Sequence, residues 1–186
     1  MTVRLAGRLL VASPGLGDPN FVRTVVLLVE HGPEGAVGLV LNRPTELEVG
    51  SVLPEWADSA TPPTVLFQGG PVGLDGVLAL GLLSTGEPAG GGPVGWRPLD
   101  SALGLVDLDE PSVQPFLGGL RLFAGYAGWG ADQLEAELGE GAWYVVDAWH
   151  ADVLTARPER LWRSVLRRQG GDLAMVSSWT DDPSQN

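Results

Sequence analysis

The 186-residue sequence has no cysteine, no lysine and only two histidines, His31 and His150. Without cysteine there are no disulfides and no thiolate metal sites, so stability has to come from a packed core. Without lysine there is no P-loop, whose phosphate-binding step ends in Gly-Lys-Ser/Thr. One histidine with no second ligand nearby is a poor metal site, and neither a metal nor a cofactor is expected. No apolar run approaches the roughly 18 residues needed to cross a bilayer. The opening stretch, MTVRLAGRLLVASPG, lacks a long apolar segment followed by a small-residue cleavage site. A cytoplasmic protein without membrane contact is the expectation.

Positive charge is also scarce. Eleven arginines face 23 acidic residues, for a net charge of −12, which opposes the phosphate attraction that dominates nucleic-acid affinity. There is one local exception. Arg157, Arg160, Arg163, Arg167 and Arg168 lie close together with Glu159 as their one acid, a stretch of +4 that leaves −16 on the remainder. Strong direct nucleic-acid binding is therefore not expected. Any weak contact falls on Arg160, Arg163 and Arg167, which share one side of a helix.

What is present is a foldable chain: 44% apolar residues, punctuated by 27 glycines and 15 prolines. Its length suits one domain over residues 1–180, followed by a loose tail at 181–186. Strands are expected at 4–12, 24–29, 36–41, 64–67, 77–82, 120–126 and 143–146. The run at 24–29 is apolar on both faces and so belongs inside a covered sheet. The cluster His31-Gly32-Pro33-Glu34-Gly35 turns it into a hairpin with 36–41. A helical turn capped by Asp18, with Pro19 first, precedes it. Helices are expected at 49–56, 132–138 and 158–168, the last with the stripe Leu161, Trp162, Val165 and Leu166 and a stop at Gly170-Gly171. Residues 84–98 read as an irregular loop. The fold class is α+β, one compact domain with a mixed or antiparallel sheet.

No motif announces catalysis. Gly15-Leu16-Gly17 follows a strand, but Asn20 stands where a dinucleotide fingerprint needs glycine. There is no Gly-x-Ser-x-Gly elbow. Glu30-His31 reads as the polar end of a buried strand, and no catalytic residue is assigned. An uninterrupted hairpin places Ala36 opposite His31 and Arg43 opposite Thr24, roughly 23 Å apart at about 3.3 Å per residue. Arg43 then joins Arg23, Asn42 and Asp18, either as a structural ion cluster or as an anion or ligand pocket. In Gly125-Tyr126-Ala127-Gly128-Trp129-Gly130 the glycines suggest a reversal beneath packed aromatics. Asp132 and Glu135 have capping-box spacing, with Glu135, Glu137 and Glu140 outward. Tyr126, Trp129, Gln133 and Glu135 form the alternative interaction surface.

Together these segments resemble the YqgE/AlgH family. The matching pieces are Gly7-Arg8-Leu9-Leu10-Val11-Ala12-Ser13-Pro14, Asp18-Pro19-Asn20-Phe21, Glu30-His31 and Gly35-Ala36-Val37-Gly38-Leu39-Val40-Leu41-Asn42-Arg43-Pro44. They continue with Gly69-Gly70-Pro71-Val72, Gly125-Tyr126-Ala127-Gly128-Trp129, Gln133-Leu134-Glu135 and Trp143. Two departures stand out: Ala131-Asp132, where relatives carry a proline-like residue and glycine, and Val29, where cysteine often precedes Glu-His. The resemblance implies a bifurcated, partly barrel-like sheet flanked by helices. It carries no accepted catalytic residues. The AlgH branch is named as a transcriptional regulator of alginate production, and some members are encoded beside a resolvase-like nuclease. The expected function is that of a non-enzymatic binding or regulatory protein working through a protein partner. The alternative is a small-molecule or anion binder, with an enzyme among the open readings, using the Arg23/Arg43 region.

Overall fold

The computed structural model describes residues 3–85 and 91–179. The tail expected at 181–186 and positions 86–90 of the expected loop lie outside them. The chain begins with three antiparallel strands, β1 (Arg8–Ala12), β2 (Val25–Gly32) and β3 (Gly35–Val40). β1 and β2 are buried on both faces because their apolar residues alternate between two cores. Leu9, Val11, Val25 and Leu27 face one side, and Leu10, Ala12, Val26 and Leu28 face the other. A sheet covered on both sides needs such uninterrupted apolar strands.

Strands β4 (Pro44–Glu48), β5 (Val65–Gln68), β6 (Val72–Leu83), β7 (Trp96–Pro98), β8 (Leu103–Val106), β9 (Leu117–Gly130) and β10 (Trp143–Asp147) complete the sheet. The main order is β10-β1-β2-β3-β9-β6-β8-β7, with β4 pairing β5 and β5 pairing β9. All these pairings are antiparallel except β5 with β9. The 14-residue β9 belongs to both halves of the fold. Its first part pairs with β6, and its last residues pair with β3, Gly35 opposite Gly130 and Gly38 opposite Ala127. The sheet thus splits along one strand and curls into a half-barrel. The reversal expected at 125–130 does not occur. Gly125, at φ +73°, bends the strand without ending it, and its absent Cβ would stand 2.6 Å from the Gly70 carbonyl oxygen.

Helices α1 (Val49–Val52), α2 (Gln133–Gly139), α3 (His150–Val153), α4 (Leu161–Gln169) and α5 (Gly171–Val176) are short. The helix expected at 49–56 splits at Pro54, which cannot donate a helical N–H, into α1 and a 3-10 turn, Pro54–Ser59. Pro158–Arg160 likewise forms a 3-10 turn ahead of α4. The apolar stripe of α4 is fully buried, and Trp162 donates its indole N–H to the carbonyl of Ala12 at the end of β1 (2.8 Å). Gly170 ends α4 as expected, but α5 follows at once. A third core lies on the other half of the sheet around Trp56, Val113, Leu120 and Leu122. None of the helices in the described residues is long and apolar enough to cross a membrane.

Candidate functional site

A cleft of about 750 Å³ opens at the β2–β3 hairpin and is lined by Arg4, Glu30, His31, Val37, Arg97 and Trp129, among others. A β-bulge makes the site. Pairing runs Leu28 to Gly38, then Glu30 to Val37 and His31 to Ala36, so Val29 has no opposite number. One extra residue exchanges the faces of all that follows. Val25, Leu27 and Val29 pack toward α4, and strict alternation would send His31 the same way. Instead His31 shares the face of Ala36, toward α2. There Nδ1 accepts the backbone N–H of Leu5 (3.1 Å), and Nε2 lies 2.7 Å from Glu135 Oε1. Because Leu5 must donate, the ring proton sits on Nε2 and is donated to Glu135. This hydrogen bond from His31 holds the Glu135 carboxyl below its ordinary value. Both nitrogens are engaged, which makes His31 a strut between β2 and α2 with no vacant base.

The α2 acids correct two expectations. Asp132 sits at φ +61° and its side chain makes no capping bond, so the Asp132/Glu135 capping box is absent. Glu137 is not simply outward. Its Oε2 accepts the indole N–H groups of both Trp129 (2.9 Å) and Trp143 (2.8 Å), while Oε1 accepts from Gln133 (3.2 Å). Gln133 in turn accepts the N–H of Gly130 (3.0 Å). Trp129 is only 5% exposed and packs with Phe21 and Trp143, so its ring offers little to a surface. Tyr126 is half-buried; Gln133 and Glu135 are exposed.

At the other end of β2 and β3, Asp18, Arg23, Asn42 and Arg43 do come together, but mostly with backbone. The bulge also corrects the expected register: the observed pairing sets Val26 opposite Val40, where an uninterrupted hairpin would set it opposite Leu41. Asn42 accepts from the N–H of Val25 (3.0 Å) and donates to the Arg23 carbonyl (2.9 Å). Arg43 donates to the carbonyls of Pro19 (2.9 Å) and Val22 (3.0 Å). Burial pushes its pKa down, partly offset by Asp18. Arg23 stacks on the Trp162 ring, 4.4 Å from guanidinium carbon to centroid. These groups pin the 18–23 turn to the sheet.

The arginine helix does not present one basic stripe. Arg160 and Arg167 are exposed, but Arg163 is half-buried and donates to the carbonyl of Ser177. No group of three or more His, Asp or Glu among the described residues is arranged to hold a metal.

With this geometry in place, the family model described as AlgH-like matches residues 9–174. The chain belongs to the AlgH-like family. A UPF0301 protein of Streptomyces coelicolor is 58% identical over 184 residues, covering 98% of this chain and 95% of the relative. One of Thermobifida fusca is 50% identical over 193 residues, covering 98% and 96%. A crystal structure from Corynebacterium diphtheriae superposes with a TM-score of 0.89 at 32% identity, covering 96% of this chain and 94% of that one. The solution structure of AlgH from Pseudomonas aeruginosa superposes with a TM-score of 0.69 at 32% identity, covering 97% and 96%. The AlgH-like half-barrel is therefore the fold of this chain.

Two arrangements were not legible in the sequence. Arg121 is 2% exposed on β9 and faces no carboxylate among the described residues. It donates to the carbonyls of Thr155 (2.7 Å) and Pro62 (2.9 Å) and stacks on Phe67, and burial pushes its pKa down to about 10. It remains a cation at neutral pH and ties β9 to two loops. The second is a cleft around Trp149, Arg157 and Arg160. A lone arginine in an apolar strand and an exposed tryptophan before a short helix were the only local signals.

Proposed function

We propose that this AlgH-like protein is a non-enzymatic binding protein that acts through a protein partner, docked at the β2–β3 hairpin cleft. The observation that carries this reading is the make-up of that cleft. Its apolar part includes Val29, Ala36, Val37 and Leu99, and its rim carries Arg4 and Arg97 beside Glu30 and Glu34. Its histidine has both nitrogens engaged, and none of its lining residues is a serine, threonine or tyrosine. A cleft whose lining is about equally polar and apolar, with charges of both signs, suits a polypeptide segment, which offers apolar side chains and polar groups together. The Arg23/Arg43 end supports an anion site less well, because Arg43 is engaged by carbonyls.

The test is a photo-cross-linker placed at Glu34, with the exposed Asp109 as control position, followed by reconstitution with the protein it captures. Arg97→Glu should weaken the purified complex by at least about tenfold, or 1.4 kcal/mol, with the thermal midpoint unchanged. Equal cross-linking from both positions, or an unaffected complex, would count against the cleft. A substrate turnover that falls about a hundredfold in a folded His31→Gln variant would overturn the non-enzymatic reading.

A further inference from the structure

Trp149 is 57% exposed, yet its backbone and its ring are both tied to one buried ion pair. Asp152, 5% exposed, accepts the backbone N–H of Trp149 (2.7 Å) and both terminal nitrogens of Arg168 (2.6 and 2.8 Å). Arg168 also donates to the Asp147 carbonyl, and its guanidinium lies 4.0 Å from the Trp149 ring centroid. One buried carboxylate thus fixes a guanidinium, and the guanidinium backs an indole. The ring is backed by Arg168 while the residue stays largely exposed.

Trp149 lines a cleft of about 570 Å³ together with Thr155, Arg157, Arg160, Ser164 and Arg168. Arg157 and Arg160 are exposed and make no ion pair with any described residue, and the Ser164 hydroxyl has no hydrogen bond among them. Asp152, the cleft's own acid, is neutralised by Arg168, so it does not repel an anion. With Arg168 and Asp152 paired, Arg157 and Arg160 leave the cleft lining with a net positive charge on a chain of net charge −12.

We propose that this cleft binds a nucleoside phosphate, with the base stacked on Trp149 and the phosphate between Arg157 and Arg160, near the Ser164 hydroxyl. The pieces differ from those of glycine-loop nucleotide sites: stacking and guanidinium forks replace a helix-opening loop. The volume is within the range of small-ligand sites. The −16 on the rest of the chain sets a polynucleotide at a disadvantage that a single nucleotide escapes. The site is separate from the hairpin cleft and stands whether or not a protein docks there.

The experiment is isothermal titration of the full chain with ADP, GDP, UDP, adenosine, pyrophosphate and an oligothymidylate. At least one nucleoside diphosphate should bind with a Kd below about 1 mM, and adenosine and pyrophosphate should each be about tenfold weaker or more. Arg157→Ala combined with Arg160→Ala should weaken the nucleotide at least about tenfold, and Trp149→Ala should reduce it to the level of pyrophosphate. All three side chains are exposed, and an unchanged circular dichroism spectrum would verify that each variant folds. The proposal is overturned if no nucleotide binds in that range, or if binding survives the double arginine variant. It is equally overturned if pyrophosphate matches the nucleotides, which would mark a bare anion patch, or if the oligothymidylate binds more tightly, which would mark a nucleic-acid surface.

Discussion

Glu137 lies on the half-buried side of α2, and its Oε2 alone holds the indole N–H groups of two nearly buried tryptophans, Trp129 and Trp143. Replacing it with alanine leaves both donors without their partner in the structure. Each orphaned buried donor costs about 1–3 kcal/mol, and α2 also loses its tie to the Trp129–Trp143–Phe21 cluster. Water reaching one of the two would recover part of that, so Glu137→Ala should destabilise the protein by about 2–4 kcal/mol. Glu137→Gln keeps one carbonyl oxygen able to accept both N–H groups but loses the charge assistance, and should cost about 1 kcal/mol. Urea denaturation followed by far-UV circular dichroism measures both without relying on the tryptophans being perturbed. An alanine variant within about 0.5 kcal/mol of wild type, the usual range for a surface substitution, would refute the bridging role. So would equal effects of glutamine and alanine, because the geometry requires the oxygen.

Gly125→Ala should cost about 2–4 kcal/mol, since it forces a left-handed backbone and a Cβ 2.6 Å from the Gly70 carbonyl oxygen. Gly128→Ala, whose Cβ would meet only the Tyr126 ring at 3.7 Å, should change stability by less than about 1 kcal/mol; equal denaturation midpoints for the two variants would contradict the placement of the bend. The Glu135 carboxyl is held below its ordinary 4.5 chiefly by the His31 hydrogen bond. Its folded pKa is thus below the unfolded one, so its stabilisation is complete above the unfolded value and is lost as the pH falls through the folded one. The stability gap between wild type and Glu135→Gln should accordingly close as the pH drops from about 6 to about 3, read by thermal melts in a pH series. Duplex DNA should bind only weakly and without sequence preference at physiological salt, given a net charge of −12 and Arg163 committed to Ser177. A submicromolar, sequence-selective complex in fluorescence anisotropy would contradict this.

Local chemistry determined a good deal by itself. The run at 24–29, apolar on both faces, and the apolar run at 36–41 pointed to interior strands, and His31 to Gly35 to the hairpin turn between them. The spacing of Leu161, Trp162, Val165 and Leu166 determined which side of α4 is buried. The family resemblance extended that to the bifurcated sheet. What remained illegible depended on partners distant in the chain. A bulge at Val29 carries no residue signature, yet it turns His31 from the α4 side to the α2 side, where it meets Glu135 across 104 positions. Gly125 to Gly130 has the composition of a turn, but β3 supplies backbone partners that hold it as strand. Glu137 is polar by every local measure, and only the fold brings two indole N–H groups onto it. The arginines at 157–168 could be counted in the sequence, whereas the packing alone separated Arg163 and Arg168, which are tied to Ser177 and Asp152, from Arg157 and Arg160, which face an open cleft. Period and composition record what a residue prefers next to its neighbours. Which donor meets which acceptor is decided by the sheet that brings distant segments together.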